Sequence, residues 1–311
     1  MKRKLILAAL ALSLALAACA PVAGTPPTAT PTPGPLDLID GLGRPLTLTK
    51  PAQQVISLAP SNTEILYAIG AGGQVIGRDE FSDYPEAAKS LPSVGGSMGQ
   101  YSLEQIVALG PDLVLASEIN TPEQVKAMED LGLTVYYLGN PTTLEEMYAN
   151  LAIVGQLTGR DAEAKTLAQS LQVRVAEVDK KLALVADRPS VFYEIDASDP
   201  NKPFTAGPGT FIDLLISRAG GVNVAASTQS SYPQLGLEQL VVSNPGILLL
   251  GDSAYGVTAE SVAARPGWEV LAAVQDGNIF PFDDNLMSRP GPRLVDGLEA
   301  LAKLLHPEAF Q

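Results

Sequence analysis

The sequence predicts an α/β fold in which two doubly wound lobes are joined by one long helix. The first observation is a stretch from Arg160 to Asp187 that contains one apolar stripe and neither Gly nor Pro. The second is a pattern of short helix, proline and apolar run that occurs once on each side of this stretch. Strands alternating with helices on both sides of a connector are typical of two α/β lobes.

The predicted connector is amphipathic. Its apolar residues recur every three or four positions with charged residues between them, which indicates a helix with one buried face. Without interruption it extends for about 26 residues, or about 40 Å at about 1.5 Å per residue. One strand of a coiled coil is the alternative, but the stripe covers only about three heptads. The apolar positions are Ala164, Leu167, Leu171, Val175, Val178, Leu182 and Val185.

The two copies of the duplicated pattern lie about 134 residues apart in the numbering. SLEQIVALGP, residues 102–111, leads into the apolar run at 113–116, and GLEQLVVSNP, residues 236–245, leads into the run at 247–250. In each copy Leu-Glu-Gln opens a helix and the proline ends it. The unalternating apolar run then predicts a parallel strand that is covered on both faces.

The remaining elements follow the same alternation. Residues 38–49 predict a small β-hairpin, and Ser61 and Glu64 have the spacing of a capping box at the start of a helix that ends at Gly70. Further strands are predicted at 55–58, 75–77, 135–138, 191–195 and 278–282, and helices at 122–131, 144–157, 211–219, around Trp268 and at 291–305.

The N-terminus has the features of a secretory signal that ends on a cysteine. Three basic residues at positions 2–4 precede an apolar run at 5–18, which is too short to span a bilayer comfortably. The sequence Leu16-Ala17-Ala18-Cys19 resembles the lipobox of bacterial lipoproteins, which implies cleavage before Cys19 and lipidation of that residue. An ordinary buried cysteine is the alternative. Cys19 is the only cysteine, so no intrachain disulfide is possible.

Residues 21–35 are rich in Pro and Thr, which predicts an extended, solvated tether. Loss of the signal removes three of 20 basic residues and makes a net charge of −14 still more negative. This balance argues against nucleic acid and anionic lipid as partners. The predicted organisation is a signal peptide at 1–18, a lipidated cysteine and tether at 19–36, an N-terminal lobe at 37–158, a connecting helix at 159–188 and a C-terminal lobe at 189–311.

Several of these segments together resemble the periplasmic-binding-protein family of ABC importers, in the branch with a helical connector that serves cobalamin, iron-siderophore and haem uptake. The resemblance covers nearly all of the chain after the tether. It implies a monomer without catalytic activity or resident cofactor, which captures a bulky small molecule in the cleft between the lobes. The segments that carry it are residues 55–70 (VISLAPSNTEILYAIG), Asp83-Tyr84-Pro85, 102–111, 203–207 (PFTAG) and Leu237-Glu238-Gln239.

The resemblance also implies a partner and a location. Such a protein is lipid-anchored, here at Cys19, faces the periplasm or the cell exterior, and delivers its ligand to an ABC permease dimer. Glu104 and Glu238, one in each lobe, match the glutamates that dock against permease arginines. One like-charged anchor per lobe suits a two-fold permease, although both glutamates also favour the positive end of their own helix.

The cleft positions that match cobalamin-binding members are Tyr84, Met98, Phe204 and Tyr232. Aromatic faces suit a broad, partly apolar corrin, and Met98 departs from the aromatic expected at its position. Ser61 is a further candidate because it follows a strand where open α/β sheets collect ligands. The polar groups that could reach amides of the ligand are Asp283, Asp284 and Arg289, in the loop after the last predicted strand.

Cobalamin or a related corrinoid is therefore the predicted ligand, with an iron-siderophore or haem as alternatives. Anionic siderophore complexes call for clustered Arg or Lys, which the cleft segments lack. Haem calls for an axial His, Tyr or Met, and the lone His306 has the position of a helix-end residue. A surface receptor or scaffold lipoprotein without a permease is the alternative from another functional class.

One motif suggests an enzyme. Residues 95–99, Gly-Gly-Ser-Met-Gly, match G-x-S-x-G, and Ser97 precedes Asp residues and His306 in the order of an α/β-hydrolase triad. A nucleophile elbow needs a strand directly before the serine and a helix directly after it, whereas Ser102 is expected to cap the next helix. The sequence contains no metal-ligand spacing or phosphate-binding glycine loop either. It predicts a binding protein.

Overall fold

The computed structural model describes residues 34–311. The predicted signal peptide, Cys19 and nearly all of the predicted tether lie outside the described residues. Residues 35–311 form one compact unit. None of the helices in this part of the chain is long and apolar enough to cross a membrane.

The N-terminal lobe is built on a four-stranded parallel sheet, with the antiparallel hairpin of β1 (Leu36–Ile39) and β2 (Pro45–Leu48) before it. The strand order is β4-β3-β5-β6, from β3 (Val55–Ser57), β4 (Val75–Arg78), β5 (Leu113–Ala116) and β6 (Val135–Tyr137). Helices cover both faces because the strands carry apolar side chains on both sides. They are α1 (Pro60–Ala68), α2 (Leu103–Leu109), α3 (Pro122–Asp130) and α4 (Leu144–Thr158).

The C-terminal lobe repeats this topology. Its parallel sheet has the order β8-β7-β9-β10. In each lobe the first strand along the chain therefore lies between the second and the third, and the fourth lies beside the third. The strands are β7 (Ser190–Glu194), β8 (Val222–Asn223), β9 (Ile247–Leu250) and β10 (Ile279–Pro281). The helices are α6 (Phe211–Arg218), α7 (Leu237–Ser243), α8 (Ala259–Ala263), α9 (Ala272–Gln275) and α10 (Leu294–Leu305).

The duplicated segment occupies the same place in both lobes, as α2 leading to β5 and as α7 leading to β9. Each helix ends on a residue with left-handed backbone, Gly110 at φ 64° and Asn244 at φ 40°. Gly and Asn are the residues that adopt this conformation most readily. The chain then passes through the proline into a buried strand, so the predicted repeat is confirmed.

The connecting helix α5 (Asp161–Leu182) follows α4 after a left-handed turn at Gly159. It has 22 residues, or about 33 Å of length, and is shorter than predicted. The last residue of the predicted apolar stripe, Val185, lies after the end of the helix and still packs on the core. Its buried face belongs to a core that also contains residues of both lobes, such as Leu66 and Leu298. The two lobes are therefore packed on one shared core.

The predicted capping box at Ser61 and Glu64 is wrong. Helix α1 begins at Pro60, two residues earlier than a box capped by Ser61 requires, and its N-cap residue Ala59 has no side-chain cap. Proline favours the first helical position because its fixed φ suits the helix and its missing N–H needs no partner. Ser61 and Glu64 therefore lie inside the first turns, and the side chain of Glu64 is free to face the other lobe.

Candidate ligand cleft

The cleft lies where the carboxyl ends of the two parallel sheets face each other. In each sheet the second strand lies on one side of the first strand and the third strand lies on the other side. Open α/β sheets bind ligands at such a switch point, outside the carboxyl ends of the strands. The N-terminal lobe contributes the segments after β3, β4 and β5. The C-terminal lobe contributes those after β7, β8, β9 and β10. Contacts between Glu64 of α1 and Arg289 and Arg293 join the two edges.

Four predicted ligand-binding side chains are exposed in segments that follow strands of the two sheets. Tyr84 is 47% exposed, Met98 97%, Phe204 41% and Tyr232 59%. Large apolar side chains exposed from two facing lobes indicate a binding surface. Phe81 is also exposed and was missed, although it lies only two residues before Asp83-Tyr84-Pro85, the motif that identified this loop.

The backbone next to β7 positions Phe204 and Tyr232. Phe204 donates its N–H to the carbonyl of Asp196 over 2.7 Å and accepts from the N–H of Ile195 over 3.0 Å. The N–H of Thr205 donates to the carbonyl of Pro233, which places the loop that carries Tyr232 beside Phe204. Gly207 allows this approach, since a Cβ there would lie 2.2 Å from the carbonyl oxygen of Ser230.

The loop of Gly95 to Gly99 does not form a nucleophile elbow. Ser97 opens a single 3₁₀ turn, and Met98 within it has φ 52°. Helix α2 begins only at Leu103, where the hydroxyl of Ser102 accepts from the N–H of Gln105 over 3.3 Å, as the sequence predicts. His306 is buried in the C-terminal lobe with Nε2 3.3 Å from the carbonyl oxygen of Gly220. The hydrolase alternative therefore lacks its geometry.

Ser61 and Arg289 occupy the contact between the lobes. Ser61 is only 5% exposed, so its side chain presents little surface to a ligand. Arg289 donates from Nη1 to Glu64 over 3.2 Å and to Asp83 over 2.7 Å. Burial alone would raise the pKa of Asp83, but the Arg289 guanidinium outweighs burial and the pKa lies below its usual value. The hydrogen-bonding capacity predicted for ligand amides is thus already used within the protein.

Acidic side chains line the C-terminal wall of the cleft. A cavity of about 650 Å³ is bordered by Asp196, Asp252 and Asp284, together with Tyr255. Asp284 accepts hydrogen bonds from Tyr193 Oη over 2.9 Å and from Ser288 Oγ over 2.7 Å. The predicted Asp284 therefore lies at the cleft wall, whereas its neighbour Asp283 accepts from the N–H of Asn285 and begins a 3₁₀ turn.

Asp252 lies beside a second buried carboxylate, Glu194. Both oxygens of Glu194 accept from Arg265, over 2.5 and 2.9 Å, whereas Oδ1 of Asp252 has no hydrogen-bond partner in the described part of the chain. Burial and then the proximity of Glu194 raise the pKa of Asp252 to about 7. The carboxyl group is therefore partly protonated near neutral pH and donates to Glu194 in that form.

Tyr232 lies between charges of both lobes. Its pKa is raised by burial and then by the negative charges of Asp284 and Glu118. Glu118 follows β5 in the N-terminal lobe, so the acidic environment of the cleft is not confined to one side. Among the described residues, no group of three or more His, Cys, Asp or Glu side chains is arranged to hold a metal ion.

The family model described as periplasmic binding protein matches residues 55–286. The chain belongs to the periplasmic binding protein family. This confirms the resemblance and, with it, the absence of an enzymatic role, because the family and its curated relatives are solute-binding proteins.

Two curated relatives of this binding protein illustrate the range of the family. An uncharacterised ABC transporter substrate-binding lipoprotein of Bacillus subtilis is 31% identical over 282 residues, 89% of this chain and 87% of the relative. A cobalamin-binding protein of Halobacterium salinarum is 31% identical over 274 residues, 86% of this chain and 73% of the relative. Among solved structures, a periplasmic haem-binding protein of Roseiflexus superposes with a TM-score of 0.74 at 26% identity, covering 83% of this chain and 99% of that one.

The predicted docking residues of the binding protein have equivalent positions. Glu104 and Glu238 are exposed and lie in the first turns of α2 and α7. Neither forms an ion pair with another described residue. Because each helix follows a strand of a parallel sheet, its N-terminus lies at the cleft side of the lobe. Their docking role stays a prediction.

Proposed function

We propose that this chain is the substrate-binding protein of an ABC importer and that it captures cobalamin or a related corrinoid. The observation that carries the proposal is that both lobes expose aromatic side chains in segments after their strands, Tyr84 from one lobe and Phe204 and Tyr232 from the other. A corrin is broad and partly apolar, and such a ligand is held well between aromatic side chains. The Halobacterium relative that is named a cobalamin-binding protein supports the same ligand.

The charges of the cleft favour a ligand without negative charge. The C-terminal wall carries Asp196, Asp252 and Asp284, and Arg289 and Arg293 are occupied by Glu64 and Asp83. An anionic iron-siderophore or the carboxylates of haem would meet like charge in a partly desolvated site. A neutral corrinoid with amide side chains instead supplies hydrogen-bond donors to these carboxylates.

Haem is the second candidate. The Roseiflexus neighbour is described as haem-binding, and the cleft exposes Tyr84 and Tyr232, a residue type that can serve as an axial ligand to haem iron. The acidic wall makes this the weaker proposal, because haem carries carboxylates of its own.

Delivery of the ligand is proposed to depend on the N-terminal lipid anchor and on one glutamate in each lobe. Cys19, outside the described residues, anchors the chain to a membrane by lipid so that it faces the periplasm or the cell exterior, and residues 19–36 tether it. The lobes at 37–158 and 189–311, held by the connector at 159–188, present Glu104 and Glu238 to the two subunits of the permease. The Bacillus relative named a substrate-binding lipoprotein supports this arrangement.

Calorimetric titration of residues 35–311 tests the ligand. Cyanocobalamin, haem and a ferric hydroxamate are titrated in parallel into the wild type and into Phe204→Ala and Tyr232→Ala. We expect one-to-one binding of cyanocobalamin that both substitutions weaken by about 10-fold or more, from lost aromatic contact. Val173→Ala, on the exposed face of α5, is the control. Heat from haem or the hydroxamate alone would reassign the ligand, and no heat from any of the three would favour a receptor without a permease.

A further inference from the structure

A cluster of four charged residues joins the lobes, and three of the four are largely buried. It consists of Glu64 and Asp83 from the N-terminal lobe and Arg289 and Arg293 from the C-terminal lobe, and we call it the interlobe ion cluster. Glu64 is 2% exposed. Arg293 donates to both of its oxygens, from Nε to Oε2 over 2.9 Å and from Nη2 to Oε1 over 2.5 Å. Two carboxylates meet two guanidinium groups, so the charges balance.

The same two arginines hold the loop that carries the ligand-facing aromatics. Arg289 donates to Oδ1 of Asp83 over 2.7 Å, and the guanidinium of Arg293 lies 4.0 Å from the centre of the Tyr84 ring. A guanidinium over an aromatic face is held by electrostatic attraction and by stacking. The C-terminal lobe thereby determines where two consecutive residues of the N-terminal lobe lie.

A third arginine lies near this cluster without belonging to it. On the connector side, Arg174 of α5 donates to Asp296 and to Glu299 of α10, each over 2.6 Å. Within residues 34–311, Arg174 forms ion pairs with these two residues only, and with neither Glu64 nor Asp83.

A gain in folding stability is a poor explanation for these ion pairs. The desolvation of buried charges offsets most of their attraction, and apolar residues of similar volume often stabilise as much. What a bidentate guanidinium adds is a fixed geometry. When the Tyr84 ring and the distance between the lobes are already fixed, ligand binding requires less loss of conformational entropy, and the affinity is higher.

We propose that Glu64, Arg289 and Arg293 are positioning residues, which set the spacing of the lobes and hold Tyr84 in its ligand-facing orientation. Ligand affinity then depends on three side chains that act through Asp83 and Tyr84. This inference rests on the proposed cleft, but it does not depend on which ligand the cleft takes.

The test compares Arg293→Lys with Arg174→Lys in residues 35–311. Lysine at 293 keeps the positive charge beside Glu64, but it loses the paired hydrogen bonds to both carboxylate oxygens and the planar group over the Tyr84 ring. Lysine at 174 is the control, because Arg174 lies in the same region and does not contact Asp83 or Tyr84. Because this part of the sequence has no cysteine, Ala108→Cys and Val242→Cys, at equivalent positions of α2 and α7, can be spin-labelled and the distance between them measured by pulsed electron paramagnetic resonance.

We expect one narrow distance distribution in the wild type and in Arg174→Lys, and a broader or shifted one in Arg293→Lys. Cyanocobalamin affinity should fall by about 3- to 10-fold in Arg293→Lys, as expected for the loss of a cation–π contact and one fork hydrogen bond, and stay at the wild-type value in Arg174→Lys. Unchanged distances together with unchanged affinity in Arg293→Lys would overturn the proposal, and so would equal effects in both variants.

The distance measurement separates this inference from the ligand assignment. If the wild type does not bind cyanocobalamin, the assignment fails, while the distances still decide whether the cluster sets the spacing of the lobes. If Arg293→Lys does not fold, as judged by circular dichroism, Arg289→Lys replaces it. That variant leaves the pair between Glu64 and Arg293 intact, and a wild-type distribution in it would count against the proposal.

Discussion

The two lobes share a strand order and a Leu-Glu-Gln helix, yet they contribute different chemistry to the cleft. The N-terminal lobe contributes the exposed Phe81, Tyr84 and Met98, whereas the C-terminal lobe combines Phe204 and Tyr232 with the carboxylates of Asp196, Asp252 and Asp284. The two lobes are thus alike in the helices that carry Glu104 and Glu238 and differ in the side chains that they place at the cleft. Equivalent positions should therefore give equal effects on docking and unequal effects elsewhere.

The largest expected effect is on transport. Glu104→Arg together with Glu238→Arg should abolish ligand uptake in cells that carry the permease and leave ligand affinity unchanged, since both side chains lie outside the cleft wall. Each single substitution should reduce uptake to a similar extent because the two positions are equivalent. Uptake of radiolabelled cobalamin and calorimetry on the isolated protein measure the two quantities.

A matched control is available in both lobes. Glu123 and Glu260 are also exposed and lie in the first turns of α3 and α8. Glu123→Arg together with Glu260→Arg changes the charge by the same amount and should leave uptake intact. Equal loss of uptake in both double variants would contradict the docking role of Glu104 and Glu238 and would attribute the loss to the changed net charge.

The next effect concerns the shared core. Leu66→Ala in the N-terminal lobe and Leu298→Ala in the C-terminal lobe each remove a fully buried side chain and should lower the free energy of unfolding by about 2–5 kcal/mol. Because both side chains belong to one core, denaturant should still unfold each variant in a single transition. Two separated transitions, seen by comparing circular dichroism with Trp268 fluorescence from the C-terminal lobe, would contradict a shared core.

A smaller effect concerns pH and only the C-terminal lobe. The pKa of Asp252 is raised to about 7 in the folded protein, so the folded state binds a proton that the unfolded state releases near pH 4. The free energy of unfolding should therefore fall as the pH rises from about 4 through about 7. Asp252→Asn should remove this dependence and gain about 1–2 kcal/mol at pH 8, allowing for solvent screening. Urea denaturation at a series of pH values measures it.

The charges around Asp252 define the control for this experiment. Glu194, Arg265, Asp284, Tyr193 and Asp196 surround it, and only Glu194 is a direct carboxylate neighbour. Asp196→Asn removes an exposed carboxylate from the same cavity, and it should leave the slope nearly unchanged. A slope that persists in Asp252→Asn would assign the proton to another group.

The smallest expected effects compare the ends of α2 and α7. Gly110→Ala introduces a Cβ into open space, but at φ 64° it should cost about 1 kcal/mol in conformational energy. Asn244→Gly, at φ 40°, should change stability by only a few tenths of a kcal/mol, since Asn tolerates this region. Thermal unfolding of both variants checks the difference, and equal losses would mean that the left-handed backbone does not determine the cost of these substitutions.

Local patterns predicted most of the fold. The repeated Leu-Glu-Gln helix, its left-handed end and the apolar strand after it are set by neighbouring residues, and so are the hairpin and the stripe of α5. The errors also have local causes. Pro60 begins α1 two residues earlier than the capping box predicted at Ser61 requires, and the apolar stripe continues to Val185, beyond the end of the helix at Leu182.

The contacts between the lobes were not predictable in this way. Glu64 and Arg293 are separated by 229 positions, and nothing in the residues around either one indicates its partner. Tyr84, Phe204 and Tyr232 were predicted as ligand-binding residues from the resemblance to the family, and their role stays a prediction. It assigned Arg289 to the ligand because a polar group in a cleft loop has the same local appearance whether its partner is a ligand or the opposite lobe.

The shared core also determines how the chain can be divided. The segment between α5 and β7, residues 183–189, is largely exposed and would tolerate a cut in the backbone. Each resulting fragment would carry a complete sheet and one uncovered half of the common apolar core. The fragments should be poorly soluble when made separately and should assemble without a covalent bond when made together, so the intact protein could be rebuilt from two genes.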